Sequence, residues 1–119
     1  MAKTKQQNKM KLRFGAPIGF IASLMCVYAL WQRPLLLFFV LIFISIFTLW
    51  IYDFKFIRTF LFVSLMGPIA EIIAMHAGAW EYAQPTFLSV PIWLFPLWGM
   101  AGICFLAVAI YYNDVKMQK

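Results

Sequence analysis

Four long apolar runs, separated by connections of only a few residues until the last, constrain this chain more than any other feature. The first is Phe14 to Trp31. The second is Leu35 to Tyr52, after the short connection Gln32-Arg33-Pro34. The third runs from about Ile57 to Ala77, after a turn holding Asp53, Lys55 and Arg58. The fourth is Ile92 to Tyr112. Each has roughly the ~18–20 residues that an α-helix needs to cross a bilayer core. Water could not solvate such a chain: 65% of its residues are hydrophobic and only 12% charged, against about 25% charged in a typical soluble domain. The pattern predicts an all-α integral membrane protein, a single four-transmembrane-helix bundle with spans at about 14–31, 35–52, 57–77 and 92–112. A basic arm (1–13) and a polar tail (113–119) flank it.

Charge orients the bundle. With four spans, the amino-terminal arm, the Asp53 turn and the tail share one side. That side carries Lys3, Lys5, Lys9, Lys11, Arg13, Lys55, Arg58, Lys116 and Lys119, while the other carries only Arg33. Cytoplasmic loops are the ones enriched in Lys and Arg, so both termini are expected in the cytoplasm. The cations cluster at the ends and form no stripe along a face. This excludes a nucleic-acid surface and suits anionic lipid headgroups as partners. The arm is expected to fray or lie on those headgroups. The start also has the outline of a signal peptide, with Val27-Tyr28-Ala29 as a cleavage site. The apolar run is longer than a signal core and the membrane pattern resumes at once, so an uncleaved first helix is expected. The expected location is the cytoplasmic membrane of a bacterium or archaeon.

Small residues mark packing faces. Gly15, Gly19 and Ser23 recur every fourth position on the first span, and Gly67, Ala70, Ala74 and Ala77 line the third. Gly99 and Gly102 lie on the fourth. Such stripes let helices approach closely. Four spans enclose little interior, so the stripes of the first and fourth helices are expected to be seams of a homo- or hetero-oligomer. Pro68, inside the third span, leaves the Ser64 carbonyl without its backbone donor and predicts a kink. Cys26 and Cys104 sit in apolar runs at no metal or redox spacing and read as small buried hydrophobes.

The chemistry gathers between Gly67 and Trp98. This stretch holds the one histidine, His76, and the one carboxylate deep within an apolar run, Glu71. On a helix starting near Phe56–Thr59, Glu71 lies roughly 18 to 22 Å into a ~30 Å core. A charge near the bilayer centre costs at least ~2.5 kcal/mol, so Glu71 must be protonated, paired or wetted, and an intramembrane acid is by default a functional candidate. Its structural alternative is a hydrogen bond to a neighbouring helix. His76 is five residues on, about 140° around the helix from Glu71. It shares an i, i+4 face with Trp80 if the helix continues that far. With no second histidine, a metal site or haem is not expected, and no cofactor is predicted. Glu71 and His76 are the candidate catalytic pair. Trp80, Glu81, Tyr82, Trp93 and Trp98 are the candidate lining of an outer pocket, mostly apolar with few polar groups, as suits a lipid or isoprenoid. The connection that carries the first three, Gly78 to Pro91, is aromatic and amphipathic. It is expected to lie at the interface or fold back over the helix ends.

In this stretch Pro68 and Glu71, then Gly78-Ala79-Trp80-Glu81-Tyr82, then Val90-Pro91-Ile92-Trp93 and Trp98 follow one another. The order resembles the lycopene-cyclase-like membrane proteins of carotenoid biosynthesis. In that group a carboxylate follows a proline in a membrane helix, then come a glycine- and aromatic-containing loop and a proline-led helix. The resemblance covers about a quarter of the chain and implies an isoprenoid-handling site with Glu71 as its acid. Glu71 alone is carried over, because it lies three residues after Pro68 rather than two, and Ile72, Ile73 and Ala74 stand where aromatics are expected. Two other functions suit the same residues: a non-catalytic subunit or assembly factor of a larger membrane complex, and a small proton-coupled transporter.

Overall fold

The computed structural model describes residues 2–52 and 54–117, with side chains from Phe14 onward except that of Tyr52. The side chains of the basic arm, together with Tyr52, Asp53 and Lys119, therefore lie outside the described residues. The chain forms four helices: α1 (Ala2–Leu30), α2 (Pro34–Tyr52), α3 (Ile57–His76) and α4 (Leu94–Met117). A short 3-10 turn, Phe54–Phe56, leads into α3. Pro34 opens α2, where its missing N–H costs nothing. Helix α3 runs through Pro68.

Two boundaries differ from the sequence reading. Helix α1 starts at Ala2, so the basic arm, expected to fray or to lie on headgroups, is the first part of a helix. Ala, Lys, Gln, Met and Leu dominate it, and all are strong helix formers. Helix α4 continues to Met117, through most of the residues expected as a tail. Hydropathy marks where a helix leaves an apolar solvent, not where it ends.

The bundle is apolar on its outside as well as in its core, and a few small polar residues are buried within it. Phe39, Phe43, Ile46, Phe47 and Trp50 of α2 are exposed, as are Ile18, Ile21, Met25 and Tyr28 of α1. Leu61, Phe62, Leu65, Ile69 and Ile73 continue this surface on α3. Among the described residues the buried polar ones are Ser23, Ser45, Thr48 and Ser64. Each satisfies its hydroxyl on its own helix: Ser23 donates to the Gly19 carbonyl (2.8 Å), Ser45 to Leu41 (2.7 Å), Thr48 to Ile44 (2.7 Å) and Ser64 to Leu61 (2.8 Å). A surface of this kind is consistent with an apolar solvent. Helices α2, α3 and α4 are long and apolar enough to cross a membrane. The apolar part of α1, Phe14–Leu30, is shorter.

Helix α4 packs against each of the other three. Its glycines admit α3: a Cβ on Gly99 would lie 2.5 Å from the Phe60 ring, and one on Gly102 2.7 Å from Val63. Gly19 of α1 likewise faces Met100 of α4 and Thr48 of α2. Gly15 is also buried. The glycine faces expected as subunit seams are thus closed within one chain at Gly19, Gly99 and Gly102. The α3 stripe is used at one end only. Gly67 is buried, whereas Ala70 and Ala77 are exposed and Ala74 is half-buried. Helix α3 meets α4 through Phe60, Val63, Gly67 and Glu71, three or four residues apart.

One core joins Ala16, Leu49, Phe56, Phe60, Met100, Ile103 and Ala107. A second, toward the long connection, joins Leu37 and Leu41 of α2 to Val90, Trp93 and Leu94. The connection is pinned into this second core by its own turn. The Phe87 and Val90 backbones exchange hydrogen bonds (2.9 Å each), with Leu88 and Ser89 both at positive φ, and the Thr86 hydroxyl accepts from Ile92 N–H (2.7 Å).

Candidate functional site

Helix α3 sets the position of Glu71, and its end is defined by glycine. Gly78, at φ +88°, donates to the Met75 carbonyl (2.9 Å) while Ala79 donates to Ala74 (3.0 Å). This paired closure of the last turn requires a left-handed residue, which glycine adopts without strain. The helix therefore stops at His76. His76 and Trp80 do not share a helical face, in contrast to the i, i+4 expectation.

Beyond Gly78 the chain turns back, and Tyr82 enters the bundle while Trp80 and Glu81 stay exposed. The Tyr82 hydroxyl donates to Glu71 Oε2. The other carboxylate oxygen, Oε1, accepts from the indole Nε1–H of Trp98 at 2.7 Å. Trp98 reaches it because Gly67, one turn before Glu71, has no side chain. The indole lies where a Cβ would stand, within 2.2–2.7 Å of its ideal position. Gly67 and Glu71 thus act together: the glycine admits the ring and the acid takes its N–H. Both oxygens accept, the hydrogen-bond pattern of a carboxylate. The need of Glu71 for a partner is met by two aromatic donors, neither of them a cation.

Tyr82 is suited to this role. Burial, then its hydrogen bond to Glu71 and the negative charge of Glu71, push its phenol well above the ordinary tyrosine value. It therefore remains a donor. A group with a raised folded-state pKa contributes its full stabilisation below the unfolded value, here about 10, and loses it only as pH climbs through the raised value. The Tyr82 phenol consequently keeps its proton across the whole physiological range.

A cavity of about 320 Å³ adjoins this acid. Apart from Glu71 and Tyr82 its walls are hydrocarbon and indole: Phe20 and Val27 of α1; Leu94, Leu97, Ala101 and Phe105 of α4; and Trp93 and Trp98. Phe105, 65% exposed, stands at its margin, so the cavity is reached from the apolar flank of the bundle. A second recess, about 370 Å³, lies on the other side of Tyr82 and is lined by Ile72, Met75, His76, Trp80, Glu81, Pro85 and Ser89.

The residues expected to form one pocket therefore divide. Glu71, Tyr82, Trp93 and Trp98 share the apolar cavity. His76, Trp80 and Glu81 share the polar recess, and Tyr82 is the wall between the two. Glu71 and His76 line different cavities. Phe20, Val27, Leu97, Ala101 and Phe105 carry no chemical mark in the sequence and are found only by the fold. Among the described residues no three of His, Cys, Asp and Glu gather to hold a metal ion. Comparison with family models, with curated proteins and with solved structures returned no match, and the chemistry of this site is therefore read from its geometry.

Proposed function

We propose that this chain is an integral membrane protein that binds the chain of a lipid or isoprenoid in the α1–α3–α4 cavity, with the polar end of the ligand at Glu71. One observation carries the reading: a carboxylate and its two aromatic donors stand at an otherwise apolar cavity that opens on the apolar flank. Ligand sites have this composition, mostly apolar with a few convergent polar groups that fix orientation, and about 320 Å³ lies at the small end of their range. A hydrocarbon chain extending past Phe105 would continue into the bilayer.

The membrane frame of this proposal has four spans and both termini in the cytoplasm. The 17-residue apolar part of α1 corresponds to about 26 Å. The basic residues before it can snorkel and so extend its reach. The distribution of Lys and Arg, nine to one between the two sides, supports this orientation. From the resemblance to lycopene-cyclase-like proteins the proposal keeps the acid alone, as a group that binds and orients.

Photo-crosslinking tests it. Benzoylphenylalanine in place of Phe105, irradiated in intact membranes, is expected to give a lipid adduct on the intact-mass spectrum. Adducts to protein alone would overturn the proposal in favour of a subunit whose cavity is covered by a partner helix.

A further inference from the structure

We propose that the head of the bound molecule is a neutral hydroxyl, read by Glu71 and Trp93, and that the Tyr82 phenol is the built-in counterpart of that head. The inference rests on the lipid-binding reading and adds the chemical class of the ligand.

Three observations converge. The first is the unequal footing of the two donors on Glu71. Trp98 is fixed between α3 and α4 by its seat on Gly67. Tyr82 comes from an irregular connection, and its neighbours Trp80, Glu81, Ala83 and Gln84 are all exposed. It is the donor that can be replaced. The second is Trp93. It lines the same cavity and is only 8% exposed, yet its indole N–H is buried without a hydrogen-bond partner. A buried donor without an acceptor is costly, which makes Trp93 a group in want of a ligand oxygen. The third is that Tyr82 touches both. Its hydroxyl is on Glu71 and its ring meets the Trp93 ring edge-on, with centroids 6.3 Å apart at 87°. Turning Tyr82 aside, toward the recess of His76 and Glu81, would uncover an acceptor and a donor together.

The head that answers such a pair both donates and accepts. A hydroxyl donates its proton to Glu71 and accepts the Trp93 N–H on its lone pair. A plain hydrocarbon leaves both groups unmet. A carboxylate or phosphate sets a negative charge beside Glu71. An ammonium satisfies Glu71 but has no lone pair for Trp93.

The test is a binding series on the wild-type protein in lipid nanodiscs, read by tryptophan fluorescence and native mass spectrometry. The probes are farnesol, farnesyl methyl ether, farnesoic acid and farnesene. Farnesol is expected to bind at least ten-fold more tightly than each of the others. Tyr82→Phe, which removes the competing phenol, is expected to tighten farnesol several-fold and to widen its preference over farnesene. Equal binding of farnesol and farnesene, or preference for the acid or the ether, would overturn the hydroxyl reading and leave the apolar cavity standing as a lipid site. Failure of every probe to bind would remove the lipid reading as well. Weaker farnesol binding by Tyr82→Phe would show that Tyr82 is part of the site rather than its mimic.

Discussion

Gly67→Ala is expected to destabilise the protein by about 2–3 kcal/mol, although alanine in place of glycine inside a helix ordinarily stabilises it by about 1 kcal/mol. The inversion of sign comes from Trp98. The added Cβ would lie 2.2 Å from the indole, a distance at which something must shift. The ring cannot slide freely, because α4 is held against α3 through Gly99 on Phe60 and Gly102 on Val63. Forcing extra volume into such a packing costs typically about 1–3 kcal/mol. The displaced indole also loses its 2.7 Å bond to Glu71, and bonds to charged groups contribute about 1.5–3 kcal/mol. Unfolding in mixed micelles, followed by circular dichroism, measures the loss. A gain in stability would mean that the indole does not lie against Gly67.

Glu71→Leu is expected to destabilise the folded bundle by about 3 kcal/mol, with Glu71→Gln intermediate. Apolarity alone argues the opposite, since removing an acid from a membrane helix favours insertion by at least ~2.5 kcal/mol. The folded state, however, has built two donors around this acid. Leucine strands the Tyr82 hydroxyl and the Trp98 N–H, each at about 1–3 kcal/mol. Glutamine keeps one acceptor and turns an amide N–H₂ toward the other donor. The same micelle titration gives the order. If the leucine variant equals wild type, the two hydrogen bonds contribute nothing.

How much of this was legible in the sequence follows from what each feature depends on. The helices follow from the apolar runs, because hydropathy and length decide them locally. Their outer ends do not, as α1 from Ala2 and α4 to Met117 show: helix propensity carries on after the apolar run has stopped. Glu71 stood out because a carboxylate in an apolar run has few ways to exist. Its partners were hidden. Tyr82 is 11 residues away and Trp98 is 27, and both meet Glu71 only because Gly78 reverses the chain and Gly67 leaves room for a ring. Trp80, Glu81 and Tyr82 read as lining of one pocket because they are consecutive. In irregular backbone consecutive side chains diverge, and here Tyr82 turns inward while the other two face out. One signal was available: Gly67 and Glu71 are i, i+4, so whatever packs on the glycine must meet the acid.

Native mass spectrometry of wild type and Glu71→Gln, released from their own membranes in the mildest detergent that solubilises them, tests most directly whether Glu71 anchors a lipid. The expected result is one lipid or isoprenoid species retained by the wild type at one per chain and lost from Glu71→Gln, with both proteins helical to the same extent. The contrary result is a wild-type spectrum without a retained small molecule, or the same bound species in both.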